Sequence, residues 1–124
     1  MLSDAKCKSF WRFVQKHLGA MNLVEWSIRT FVKDDNPEND ETELTLAQVQ
    51  SNPKHMVAAM TLFRDWGEET PKVVDLEATA AHECLHILLS KLMELSYDRH
   101  ATDKELQDEE HNVIRRLLAW KGLR

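Results

Sequence analysis

The chain predicts an α+β domain: an N-terminal helix, a small antiparallel sheet of about three strands, and two further helices. Three observations predict it. Apolar residues recur at helical spacing at both ends of the chain, a β-branched and aromatic stretch lies between, and turn residues separate the blocks. At 124 residues the chain has the length of one domain, residues 1–124, and its 43% hydrophobic and 30% charged content excludes disorder as the main state. Only 3 Gly and 3 Pro exclude a linker-dominated or collagen-like chain.

The first helix is signalled by Ser3 or Asp4 as cap, by Phe10, Phe13, Val14 and Leu18 at helical spacing with Trp11 extending the stripe, and by Gly19 near its end. Residues 22–34 are rich in β-branched and aromatic side chains and alternate imperfectly, which predicts a strand with one buried face. The acidic stretch 34–42 reads as a solvated turn. Two β-like runs, 44–50 and 55–63, flank Ser51-Asn52-Pro53-Lys54 and predict a hairpin, although Ala and Met in the second run also suit a helix. Thr70 as cap and Pro71 at the first helical position then open a long helix reaching about Tyr97, with Val74, Ala81, Leu85, Leu88, Leu89 and Leu92 sharing one face. A Thr102-x-x-Glu105 capping box starts the last helix, which carries Leu106, Val113, Ile114, Leu117 and Trp120 and stops at Gly122.

Charge narrows the function. The 16 basic and 21 acidic residues give −5, so there is no electrostatic case for nucleic acid or an anionic membrane as partner. No apolar run is long enough to span a bilayer, and the N-terminus shows no apolar signal core, so a soluble, cytoplasmic protein is expected. Cys7 and Cys84 form no metal-type pair and no disulfide framework, which fits a reducing compartment. The 6 His are numerous for this length.

The long helix contains His82-Glu83-Cys84-Leu85-His86, an HExxH. Histidines at i and i+4 stand one turn apart on one face, so two imidazole nitrogens can converge on a single zinc ion. Glu83, beside the first of them, is placed to accept a proton from water at the metal. The helical wheel sets His82 and His86 at the margin of the apolar stripe, partly desolvated, and turns Cys84 away from them. A catalytic zinc needs a third protein ligand, and His100, Glu109, Glu110 and His111 are downstream candidates. On the last helix Glu110 falls within about 15° of the mean apolar direction, Glu109 roughly 85° away and His111 over 100° away. A carboxylate on a core-facing stripe is costly unless paired or metal-bound, which selects Glu110.

These residues resemble the zincins, in the gluzincin arrangement of HExxH on one helix and a Glu ligand on the next, and in particular small phage and bacterial HExxH proteins including ImmA/IrrE-like peptidase domains. In those the third ligand sits in a Glu-x-Glu-Ala-Asn-like stretch. Here Glu110-His111-Asn112 matches its Glu-Ala-Asn portion, with Asp108 where the first Glu would stand. The resemblance covers about residues 44 to 120 and implies a minimal zincin-like fold. It also implies zinc held by His82, His86 and Glu110, with Glu83 as general base in peptide-bond hydrolysis. By position, the run from Met56 to Phe63 is similar to the zincin edge strand that pairs with an extended peptide substrate; an ordinary sheet edge is the other reading.

The chain departs from the larger gluzincins in carrying Ile114 where their Glu-x-x-x-Asp pattern has Asp. It has no spacing match for their oxyanion residue, for which Tyr97, His100, His111 and His55 are all open. The alternative to a zinc peptidase is therefore a catalytically silent zincin-like module that binds metal or another protein. Asp75, two turns before His82, could orient a ligand histidine only through a neighbouring segment. The four tryptophans read as core or edge aromatics.

Overall fold

A computed structural model describes residues 1–35, 45–67 and 72–123. The order is α1 (Asp4–Ala20), β1 (Ser27–Lys33), β2 (Ala47–Asn52), β3 (Val57–Phe63), α2 (Val73–Tyr97) and α3 (Asp103–Trp120). The α+β class stands as expected, with a three-stranded sheet.

Helix ends follow local chemistry. Ser3 caps α1 by accepting a hydrogen bond from the Lys6 N–H at 3.2 Å. The helix ends at Ala20, and Asn22 takes the left-handed conformation (φ 62°) that lets the Leu23 N–H return to the Leu18 carbonyl at 2.8 Å. The α3 capping box forms as read: Glu105 N–H donates to Thr102 Oγ1 and Thr102 N–H donates to Glu105 Oε1, each at 3.1 Å. Gly122, at φ 76°, closes its far end, where Leu123 N–H reaches the Leu118 carbonyl.

Thr70 and Pro71, expected to open α2, lie outside the described residues. The helix begins at Val73 with Lys72 as N-cap, and the Asp75 carboxylate accepts from the Lys72 N–H at 3.2 Å. Asp75 thus serves the helix end rather than a histidine. The acidic stretch beyond residue 35 also lies outside the described residues.

The sheet corrects one expectation. It is mixed, not antiparallel: β3 is central, β2 pairs with it antiparallel and β1 pairs with it parallel. The hairpin forms, but Ser51 and Asn52 belong to β2 and the turn falls at 53–56, two residues later than expected, closed by His55 N–H to the Asn52 carbonyl and Met56 N–H to the Pro53 carbonyl. Because β2 is itself the return run, β3 must leave the hairpin in the direction of β1. It follows that the run from Met56 to Phe63, expected to offer an edge to substrate, is bonded on both sides.

The core lies between β3 and the helices. Met60 and Leu62 of β3 meet Phe10, Val14 and Leu18 of α1, Leu76, Ala80, Cys84 and Ile87 of α2, and Val113 of α3 in one buried cluster. The central helix α2 touches α1, α3 and β2. Its buried face is therefore rotated by roughly 100° from the stripe that sequence suggested; Ala81, Leu85 and Leu92 are half-buried and Leu89 is exposed. The N-terminus is fixed by Leu2, whose N–H donates to the Arg64 carbonyl at 2.8 Å while its own carbonyl accepts from the Arg64 guanidinium. The single buried face expected of 22–34 is absent: β1 has one half-buried residue, Ile28, and is otherwise exposed.

Candidate functional site

The i, i+4 spacing of His82 and His86 brings their Nε2 atoms to 3.1 Å, with ring centroids 4.8 Å apart. Two nitrogens bound at about 2.05 Å to one tetrahedral zinc stand about 3.3 Å apart. The pair is thus already spaced as two such ligands, and both rings are exposed, so the nitrogens are open to an ion from solvent. The sequence had set them at a partly desolvated margin; the rotation of α2 that buries Cys84 and Ile87 carries them outward instead.

Glu83, next in sequence to His82, is buried. It is 5% exposed, and burial raises its carboxyl from 4.5 to about 7. It joins His82, Ala78 and Thr79 of α2 with Thr45 and Leu46, which lead into β2, and Ala47, its first residue, around a cleft of about 390 Å³. The site thus places a proton-holding group and an imidazole on one wall and a strand on the other. Thr79 and Thr45 were not singled out from sequence. Thr79, four residues before Glu83, is legible as its neighbour on the same helix face, whereas Thr45 reaches the cleft only through the pairing of β2 with β3.

The two carboxylates of α3 exchange places relative to the wheel. Glu109 is the buried one, at 6% exposed, receiving a hydrogen bond from Asn112 Nδ2 at 3.1 Å and an ion pair from Lys91 at 3.6 Å. Glu110 is exposed. The wheel misplaced them because Ile114 and Leu118, which pulled the apolar direction towards Glu110, are each 43% exposed. What packs instead is a face with Glu109, Asn112, Val113 and Arg116, and Arg116 is tied to the Met21 and Asn22 carbonyls and to Glu25. The structure brings His82 and His86 together and places Glu83 on the same cleft as His82, but among the described residues no group of three or more His, Cys, Asp or Glu side chains is placed to hold a metal ion.

The other candidates disperse. Tyr97, His55, His100 and His111 are exposed and none lines the Glu83 cleft. Cys84 is buried as expected, its thiol pushed up to about 12 by burial and its Sγ directed to the Val14 carbonyl at 3.6 Å. His17 is a buried core histidine whose Nδ1 accepts from Trp120 Nε1 at 2.9 Å, and burial lowers its pKa. No described helix is long and apolar enough to cross a membrane. The chain matches no protein-family model, no curated protein and no solved structure.

Proposed function

We propose that this chain is a zinc-dependent peptidase of zincin type, acting in the cytoplasm, with His82, His86 and Glu110 holding the metal and Glu83 as general base. The observation that carries the reading is the Nε2 pair at 3.1 Å beside a buried carboxylate that opens on a cleft. Zinc, when bound, supplies Lewis acidity and brings the acidity of a water to near neutrality. His82 and His86 present their nitrogens with no change of helix geometry. Glu110 is an exposed carboxylate on the neighbouring helix and is the third ligand in this reading, whereas Glu109 is engaged with Asn112 and Lys91. Burial gives Glu83 a proton affinity suited to taking a proton from water and returning it to a leaving amine. Because β3 is internal, an extended peptide would lie along the outer edge of β2, where Ala47 already lines the cleft.

The second reading, a silent metal-binding or interaction module, is favoured by the exposure of Glu110 away from a formed ligand cluster. One experiment separates the two. Zinc-loaded protein is incubated with a mixed peptide pool, and cleavage is read by mass spectrometry for wild type and Glu83→Gln. Cleavage by wild type, abolished in Glu83→Gln with zinc retained, supports the peptidase. Zinc binding without any Glu83-dependent cleavage leaves the silent module.

A further inference from the structure

We propose that His17 and Trp120 form an acid-opened latch between the ends of α1 and α3, in which a proton on the imidazole and the hydrogen bond from the indole exclude each other. His17 stands in the last turn of α1 and is 8% exposed. Its Nδ1 accepts from Nε1 of Trp120, the last residue of α3, at 2.9 Å, with the two rings edge to face. An indole N–H can only donate, so Nδ1 is the bare nitrogen and the imidazole proton sits on Nε2. That second nitrogen is buried and makes no hydrogen bond; the Glu77 carboxylate of α2 stops 4.0 Å from it.

A further proton has only Nδ1 to occupy. Imidazolium donates from both nitrogens, so Nδ1–H would meet Trp120 Nε1–H, donor against donor, and the indole must leave. The charged ring has another partner at hand, because a short shift brings Nε2 within hydrogen-bond reach of Glu77. His17 thus has one arrangement for each charge state: neutral and tied to α3, or charged and tied to α2.

The surroundings fix the sign. Among the described residues, the charged groups about the pair are Glu77 on α2, Lys16 beside His17 on α1, and Lys121, whose Nζ lies 5.2 Å from the Trp120 ring centre. Burial lowers the closed-state imidazole below its ordinary 6.5; Glu77 opposes that shift but is shared with Lys16 at 3.2 Å. Above 6.5 neither state takes the further proton and the latch stays closed. Below it the open state binds the proton first, so each pH unit favours opening by up to about tenfold until the closed-state value is reached. Arg116, one turn before Trp120, holds α3 to the Met21 and Asn22 carbonyls and to Glu25 through bonds that do not involve His17. Opening is therefore confined to the end of α3 beyond Arg116. That end lies about 15 Å along the helix from Glu110, and the latch is independent of the metal reading.

Two-dimensional NMR of the indole N–H signals of the metal-free, ¹⁵N-labelled chain, from about pH 8 to about 4.5, tests the latch. The chain has 4 Trp, and the Trp120 signal is the one missing from Trp120→Phe. In wild type that signal should shift with a midpoint below 6.5, in step with the His17 ring. The Trp66 indole, which donates to the Phe63 carbonyl at 2.7 Å, should stay in place. His17→Gln, whose amide oxygen accepts the same bond but takes no proton, should hold the Trp120 signal fixed across the range. Glu77→Gln alters a side chain already 34% exposed and should lower the midpoint, because the charged ring loses its partner. A wild-type Trp120 signal that stays fixed over the whole range overturns the proposal, as does one that shifts equally in His17→Gln. So does a midpoint at or above 6.5, a midpoint unmoved by Glu77→Gln, or a common loss of all four indole signals, which would be unfolding of the whole chain.

Discussion

Glu83→Gln should make the metal-free protein more stable at alkaline pH, although it removes the proposed general base. Burial lifts the Glu83 carboxyl from 4.5 to about 7. The sign follows from linkage. Below pH 4.5 both folded and unfolded chains hold the proton, so the group costs nothing. Between 4.5 and 7 the unfolded chain releases it first, binds fewer protons, and gains relative stability as pH rises. Above about 7 the folded chain must bury a charge. The gap of about 2.5 pH units, at 1.36 kcal/mol each, sets a ceiling of about 3 kcal/mol. The cleft beside Glu83 admits water, which makes this an upper bound. The neutral amide escapes the cost at equal volume. The assay is urea denaturation of both proteins in chelator at pH 5 and pH 8.5. The variant's advantage should be small at pH 5 and rise towards about 3 kcal/mol at pH 8.5, a midpoint shift of about 1–2 M. The titration of His17 is common to both proteins and cancels in the difference. A variant less stable than wild type at pH 8.5 would refute the reasoning, because the carboxylate would then be compensated by groups the structure does not show.

Three more outcomes follow from other contacts. Trp120→Phe removes the donor to His17 Nδ1 across the α1–α3 contact and should cost about 1–3 kcal/mol, read from the same denaturation curves. Thr102→Ala takes away the acceptor for Glu105 N–H and half of the capping box; a loss of about 1 kcal/mol is expected, with a matching drop in thermal midpoint. The two α3 carboxylates should separate by assay: Glu110→Gln leaves stability within about 0.5 kcal/mol but weakens zinc binding in calorimetry, whereas Glu109→Ala destabilises the fold by about 1–3 kcal/mol because Asn112 and Lys91 lose their buried partner. Equal zinc affinity in Glu110→Gln and wild type would remove Glu110 from the ligand set.

Features governed by nearest neighbours were legible in the sequence. The Ser3 cap, the Thr102 capping box and the one-turn stacking of His82 on His86 each depend on a few consecutive residues and formed as read, and the hairpin formed with its turn two residues later than read. What failed depends on which neighbour covers which face. Helix α2 is apolar around most of its circumference, so its sequence could not say that α1 would take the side bearing Cys84 and Ile87 and leave the histidines outside. On α3 the exposed Ile114 and Leu118 weighed as core residues and drew Glu110 inward, when the buried carboxylate is Glu109. The parallel pairing of β1 was equally hidden, since β1 and β3 are joined only through β2 and neither strand's composition records its neighbour. The cleft inherits that uncertainty: Glu83 and Thr79 share a helix face that sequence reveals, but Thr45, Leu46 and Ala47 arrive from the sheet.

The zinc content of the purified chain tests the central claim most directly. Protein freed of metal, reloaded and dialysed should hold one equivalent of zinc by elemental analysis, because the His82 and His86 nitrogens stand 3.1 Å apart and open to solvent. His82→Ala should hold none, and Glu83→Gln should hold as much as wild type. Wild type that retains no zinc, or His82→Ala that retains all of it, would contradict the account.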